Sequence, residues 1–110
     1  MRILLDECVH KGVKRLLSGH DVSTVVQLGW AGKTNGELLA SMLAEGIEVL
    51  LTVDRNLRYQ QNIVAAGVAV VVLIAGGNWI KELAPLAPAT LAALTTIRPG
   101  DVVEIFAPSP

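Results

Sequence analysis

The sequence predicts an α/β domain whose central sheet is mainly parallel and has about five strands. Three observations carry that expectation. The apolar residues, 52% of the chain with only 4% aromatic, are chiefly Leu, Val, Ile and Ala, the mixture expected where β-branched strands lie under Ala- and Leu-rich helices. Apolar runs too short to be independent helices recur at "RILL", "EVLLTV", "VAVVVLI" and "VVEIF". Between them lie segments with helical spacing of apolar positions, and such alternation implies parallel pairing through right-handed crossovers. A length of 110 residues suffices for one proper core and leaves little room for a second. Residues 1–107 are therefore expected to form a single domain and 108–110 a mobile tail.

The almost wholly apolar run from Arg2 to Leu5 reads as a central strand, and Lys11 to Leu17 as a helix with Val13, Leu16 and Leu17 on one face. "SGHD" turns the chain into Val22 to Val26, a strand or a strand running into a short helix. "LGWAGKTNG" is a glycine-rich loop. Thr34 or Asn35 then caps a helix from Gly36 to about Glu45, with Leu38, Leu39, Met42 and Leu43 inward and Gly46 as its stop. Glu48 to Val53 is a strand, Leu57 to Ala66 a helix ended by Gly67, and Val68 to Ile74 a buried strand. Gly76-Gly77-Asn78 leads into a helix interrupted by Pro85 and Pro88 that restarts and runs to about Ile97. "RPGD" turns into the last strand, Val102 to Phe106.

A net charge of −1 excludes the global basic field of duplex binders, so any contact with nucleic acid is local. The single cysteine, Cys8, excludes an internal disulfide and is expected to be a small, partly buried residue beside the first strand. "MRILLDE" meets acid too early for a signal peptide, so a cytoplasmic location is expected. Ile63 to Ile80 is uncharged but broken by glycines and rich in β-branched residues, which argues against a membrane segment. His10 and His20 lack metal-ligand spacing and are expected at the surface. Trp79, behind Gly76-Gly77, is expected to pack a helix start.

Two strands finish on aspartate, and the topology brings both ends to one edge of the sheet. Asp6 follows the first strand and Asp54 ends the third. Alone, each is an ordinary turn or cap residue. Together they repel and raise one another's pKa unless a cation neutralises them. Glu37, at the start of the preceding helix, is either a third member or the acid of a capping box with Thr34. Three converging carboxylates without Cys or His ligand clusters suit a hard cation such as Mg²⁺ or Mn²⁺ and disfavour zinc. Trp30, in the loop "LGWAG", either stacks on an unpaired base or anchors the loop in the core.

"ILLDE" and "TNGELLASMLAEGIEVLLTVDRNL" resemble the PIN-like nucleases, especially the small bacterial members related to toxins of toxin-antitoxin pairs, over roughly Met1 to Ile74. The resemblance implies a three-layer PIN-like fold and a metal-dependent endoribonuclease with Asp6, Glu37 and Asp54 as catalytic metal ligands and Thr52 as an accompanying hydroxyl. It implies RNA, single-stranded or structured, as substrate and an antitoxin protein as partner. Arg55 and Arg58 would steady the phosphodiester, and Lys11, Lys14 and Arg15 would extend a positive rim. The polar stretch Tyr59-Gln60-Gln61-Asn62 is a weaker candidate for substrate contact. This chain departs from the family pattern in having glutamate at position 37. A further family glutamate has no counterpart between Val25 and Gly36, where Glu7 is the substitute unless it merely begins the first helix.

Two other classes compete. A catalytically inactive PIN-like module would act through an antitoxin-like partner or as a homodimer, and the helix from Leu86 to Ile97, polar only at threonines, suits burial against another protein. A phosphoacceptor receiver domain also has acids after its first and third strands. It needs a Ser or Thr and then a Lys at the ends of its last two strands, and "VVVLIAGG" and "VVEIFAPSP" provide neither there.

Overall fold

The computed structural model describes residues 1–55, 65–77 and 79–107, without the side chain of Asn35. Five strands form one all-parallel sheet in the order β2-β1-β3-β4-β5: β1 (Arg2–Leu5), β2 (Asp21–Thr24), β3 (Val49–Thr52), β4 (Ala69–Ile74) and β5 (Val102–Phe106). Strand side chains alternate between faces, and both faces are buried. Ile3, Leu5, Val49, Leu51, Val71 and Leu73 enter one apolar cluster, and Leu4, Leu50, Val70 and Val72 enter the other. The three central strands therefore read as unbroken apolar runs.

The first cluster is closed by a 3-10 segment (Lys11–Leu16), which contributes Val13, and by the helical stretch after β4. That stretch is α2 (Ile80–Leu83), a 3-10 turn (Ala84–Leu86) containing Pro85, and α3 (Ala87–Leu94) with Pro88 in its first turn. The second cluster receives Leu38 and Met42 from α1 (Asn35–Glu45), which Thr34 caps and Gly46 ends in the left-handed conformation at φ 70°.

Several expectations are corrected. Lys11 to Leu17 is not an α-helix: six residues with a glycine at the second position close by i→i+3 bonds, and His10 Nδ1 accepts the Gly12 N–H at 2.9 Å to cap them. That bond leaves His10 half-buried rather than on the surface, and His20 is half-buried too. The helix expected to reach Ile97 ends at Leu94, where Thr95 Oγ1 bonds back to Ala92 O at 2.6 Å. Leu86, Thr90 and Leu94 are buried within the chain, so that helix spends its inner face on its own sheet. Trp79 is the N-cap residue of α2, but its side chain is 69% exposed rather than packed. The expected helix from Leu57 falls mostly on residues 56–64, and the expected tail on 108–110, all outside the described residues. Among the described residues no helix is long and apolar enough to cross a membrane.

Candidate functional site

The winding of the sheet reverses between β1 and β3, and open α/β sheets hold ligands at such a point, outside the carboxyl ends of the strands. Asp6 follows β1 directly and Asp54 lies two residues beyond β3, one on each side of the crevice. The register pairs Leu5 with Leu51, which makes Asp6 and Thr52 the next rung; Asp6 N–H still donates to Leu51 O at 2.9 Å.

Thr52 is fully buried. Its Oγ1 donates to Asp6 Oδ2 at 2.9 Å and accepts the Asp54 backbone N–H at 3.1 Å, so one hydroxyl ties the two aspartate positions together. Asp6 Oδ1 accepts Glu7 N–H at 2.8 Å. Cys8 is exposed rather than partly buried, with Sγ 3.6 Å from Asp6 Oδ2 and 3.5 Å from Thr52 Oγ1. The Asp6 carboxylate is thus held in one orientation by its neighbours.

Asp6, Glu7, Cys8, Trp30, Lys33 and Asp54 line a cavity of about 450 Å³ on the α1 side of the sheet. Trp30 packs half-buried against the second apolar cluster, as the loop-anchoring expectation has it, and also forms part of the cavity wall. Glu7 starts no helix. Its Oε1 accepts Gly32 N–H at 3.1 Å and so tethers the glycine-rich loop beside the cavity.

Glu37 is not brought to the cavity wall, although its neighbour Leu38 is. Its Oε1 accepts Thr34 N–H at 2.9 Å while Thr34 Oγ1 accepts Glu37 N–H at 3.2 Å, the complete capping box. The Thr34 backbone bond, then the Thr34 side chain and to a smaller degree Lys33, hold its carboxyl below the usual glutamate range. Arg55 Nη2 reaches Ala75 O at 3.5 Å, joining the ends of β3 and β4. Lys11, Lys14 and Arg15 line a second groove that shares Asp6 and Glu7 with the cavity; Lys14 Nζ donates to Gln27 Oε1 at 3.3 Å. Arg58 and Tyr59-Gln60-Gln61-Asn62 lie outside the described residues.

Sequence reasoning missed Lys33 and Cys8 as cavity residues. Both are close in sequence to residues it named, Lys33 beside the cap Thr34 and Cys8 two beyond Asp6, and that proximity was the available signal. Among the described residues no group of three or more His, Cys, Asp or Glu side chains is placed to hold a metal ion. The cavity carboxylates, Asp6, Glu7 and Asp54, are nevertheless hard oxygen donors. That chemistry fits Mg²⁺, which one or two carboxylates hold when water and phosphate complete its shell. No family model, no curated protein and no solved structure matches the chain.

Proposed function

We propose that the chain is a PIN-like, divalent-metal-dependent endoribonuclease acting at the carboxyl edge of its sheet. The observation that carries this reading is the Thr52 hydroxyl, which fixes Asp6 Oδ2 and the Asp54 backbone on either side of the switch point. Asp6 and Asp54 would hold Mg²⁺ or Mn²⁺, which when bound supplies an activated water and neutralises charge on the departing oxygen. The chain's own residues do the rest. The bonds from Thr52 and Glu7 orient Asp6 in advance, so little reorganisation is needed when substrate arrives. Lys33 places a cation in the cavity wall for the phosphodiester, and Trp30 and Leu38 give that wall its apolar part. Glu37 acts on stability through α1. An antitoxin-like protein partner belongs to the same reading.

The test is cleavage of a mixed single-stranded RNA pool in Mn²⁺, Mg²⁺ or EDTA by wild type, Asp6→Asn and Asp54→Asn. Cleavage that needs metal and is lost in both variants supports the assignment; a folded wild type that leaves the pool intact in either metal removes it.

One observation favours a second reading, the catalytically inactive PIN-like module: the capping box takes Glu37 and leaves Asp6 and Asp54 without that third acid. A folded protein that binds no divalent cation would support it. The receiver reading has the strand order in its favour, but β4 runs into Ala75 and β5 into Ala107, where it needs a hydroxyl and a lysine.

A further inference from the structure

The sheet ends on β2 at one side and on β5 at the other, and the phase of the ladder decides which backbone groups each edge turns outward. At β2, Asp21 N–H donates to Met1 O at 3.1 Å and Val25 N–H to Leu5 O at 3.3 Å, so Val22 and Thr24 are the outward residues. That edge is largely closed. Gln27 Oε1 accepts Thr24 N–H at 3.0 Å, Thr24 O accepts Leu28 N–H at 3.2 Å, and the Val22 side chain is buried. At β5, Val70 N–H donates to Asp101 O at 2.8 Å. That bond commits residues 101, 103 and 105 to β4 and turns the N–H and C=O groups of Val102, Glu104 and Phe106 outward. Among the described residues nothing bonds to those outward groups. The side chains of the same three residues share one face of the strand, while Val103 and Ile105 face the first apolar cluster. Val102 is 38% and Phe106 62% exposed, and Glu104, exposed between them, has no ion pair among the described residues.

An unpaired edge of this kind is a template for another strand. We propose that β5 is the docking edge for an extended segment of a protein partner, added antiparallel, with a lysine or arginine opposite Glu104 and apolar residues opposite Val102 and Phe106. Main-chain bonds to the outward groups hold the segment, and the three cross-strand side-chain pairs select it. A second copy of this chain is the competing occupant, and Glu104 disfavours it. The antiparallel register that pairs all three outward residues with those of a copy sets Glu104 directly against its equivalent, and like charges so placed repel. Slipping the register by one pair parts the carboxylates but leaves an outward residue of each copy unpaired. The inference goes beyond the ribonuclease reading: β4 separates β5 from β3, and none of the three residues lines the cavity.

The probe is a synthetic peptide of alternating valine and threonine in which lysine replaces the central valine, titrated into the isotope-labelled chain and followed by amide NMR signals. Saturable shifts at Val102, Glu104 and Phe106 are expected. A peptide with glutamate at its centre should bind about 2- to 10-fold more weakly, and Glu104→Lys, an exchange at an exposed position, should reverse that order. The lysine peptide N-methylated at the residues that face β5 has no donors for the edge and should not bind. Still β5 signals, equal affinity for the two peptides, or binding by the N-methylated one overturns the proposal. So do β5 signals that move with protein concentration in the absence of peptide, which assigns the edge to a second copy. RNA cleavage decides the ribonuclease reading and moves none of these readouts.

Discussion

Thr52→Val is the substitution that isolates the link between the two aspartates. Valine keeps the volume and the β-branching of threonine and removes only the hydroxyl, so the fully buried strand position is refilled without a cavity. What is lost is the 2.9 Å bond to Asp6 Oδ2, of the charged-acceptor kind worth about 1.5–3 kcal/mol, together with the 3.1 Å partner of Asp54 N–H. Valine returns some of that through its higher strand preference and cheaper burial, on a scale of about 1 kcal/mol. The expected net loss is about 1–2 kcal/mol, or roughly 4–16 °C in Tm for a domain of this size. Urea and thermal unfolding of wild type, Thr52→Val, Asp6→Ala and the double variant complete a cycle. A coupling energy of about 1 kcal/mol between positions 6 and 52 is expected. Thr52→Val as stable as wild type, with the two losses simply adding, would refute the claim that the hydroxyl bridges the site.

The other predictions concern the elements that carry the site. Glu37 has its carboxyl held low by the capping box, so its stabilisation is present above the unfolded-state value and is lost as pH falls through the folded one. Glu37→Gln keeps a capping oxygen that does not titrate. The urea midpoints of wild type and Glu37→Gln should therefore differ at neutral pH and converge in acid; a constant difference contradicts the assignment. Leu50→Ala, at the centre of the second cluster with no exposure, should cost about 2–5 kcal/mol in urea unfolding, and a loss under about 1 kcal/mol would mean that face of the sheet is not a packed core.

The three central strands were legible because they are buried on both faces, and burial on both faces writes an unbroken run of Leu, Val and Ile into the sequence. Thr34 and Gly46 were legible for the same kind of reason, since only a few residue types cap a helix or sit at φ 70°. The 3-10 segment at Lys11–Leu16 was not, because Val13, Leu16 and Leu17 fit helical spacing whichever carbonyl the backbone bonds to. In the site, Asp6 and Asp54 were legible from topology: strand ends of a parallel sheet share an edge. Glu37 left two outcomes open, because a capping box and a ligand at a helix start use the same residue type at the same position. Trp79 was misjudged because bulk and apolarity predict burial, whereas its side chain is 69% exposed and its carbonyl accepts the Glu82 and Leu83 N–H groups. No apolar pattern records either.

The central claim is that Asp6 and Asp54 form one cation site and Glu37 does not belong to it. Calorimetric titration of Mn²⁺ into folded wild type, Asp6→Asn, Asp54→Asn and Glu37→Gln tests it directly. The account predicts binding by wild type and Glu37→Gln and its loss in both aspartate variants. Binding that survives in either aspartate variant, or that is absent from the wild type, would contradict it.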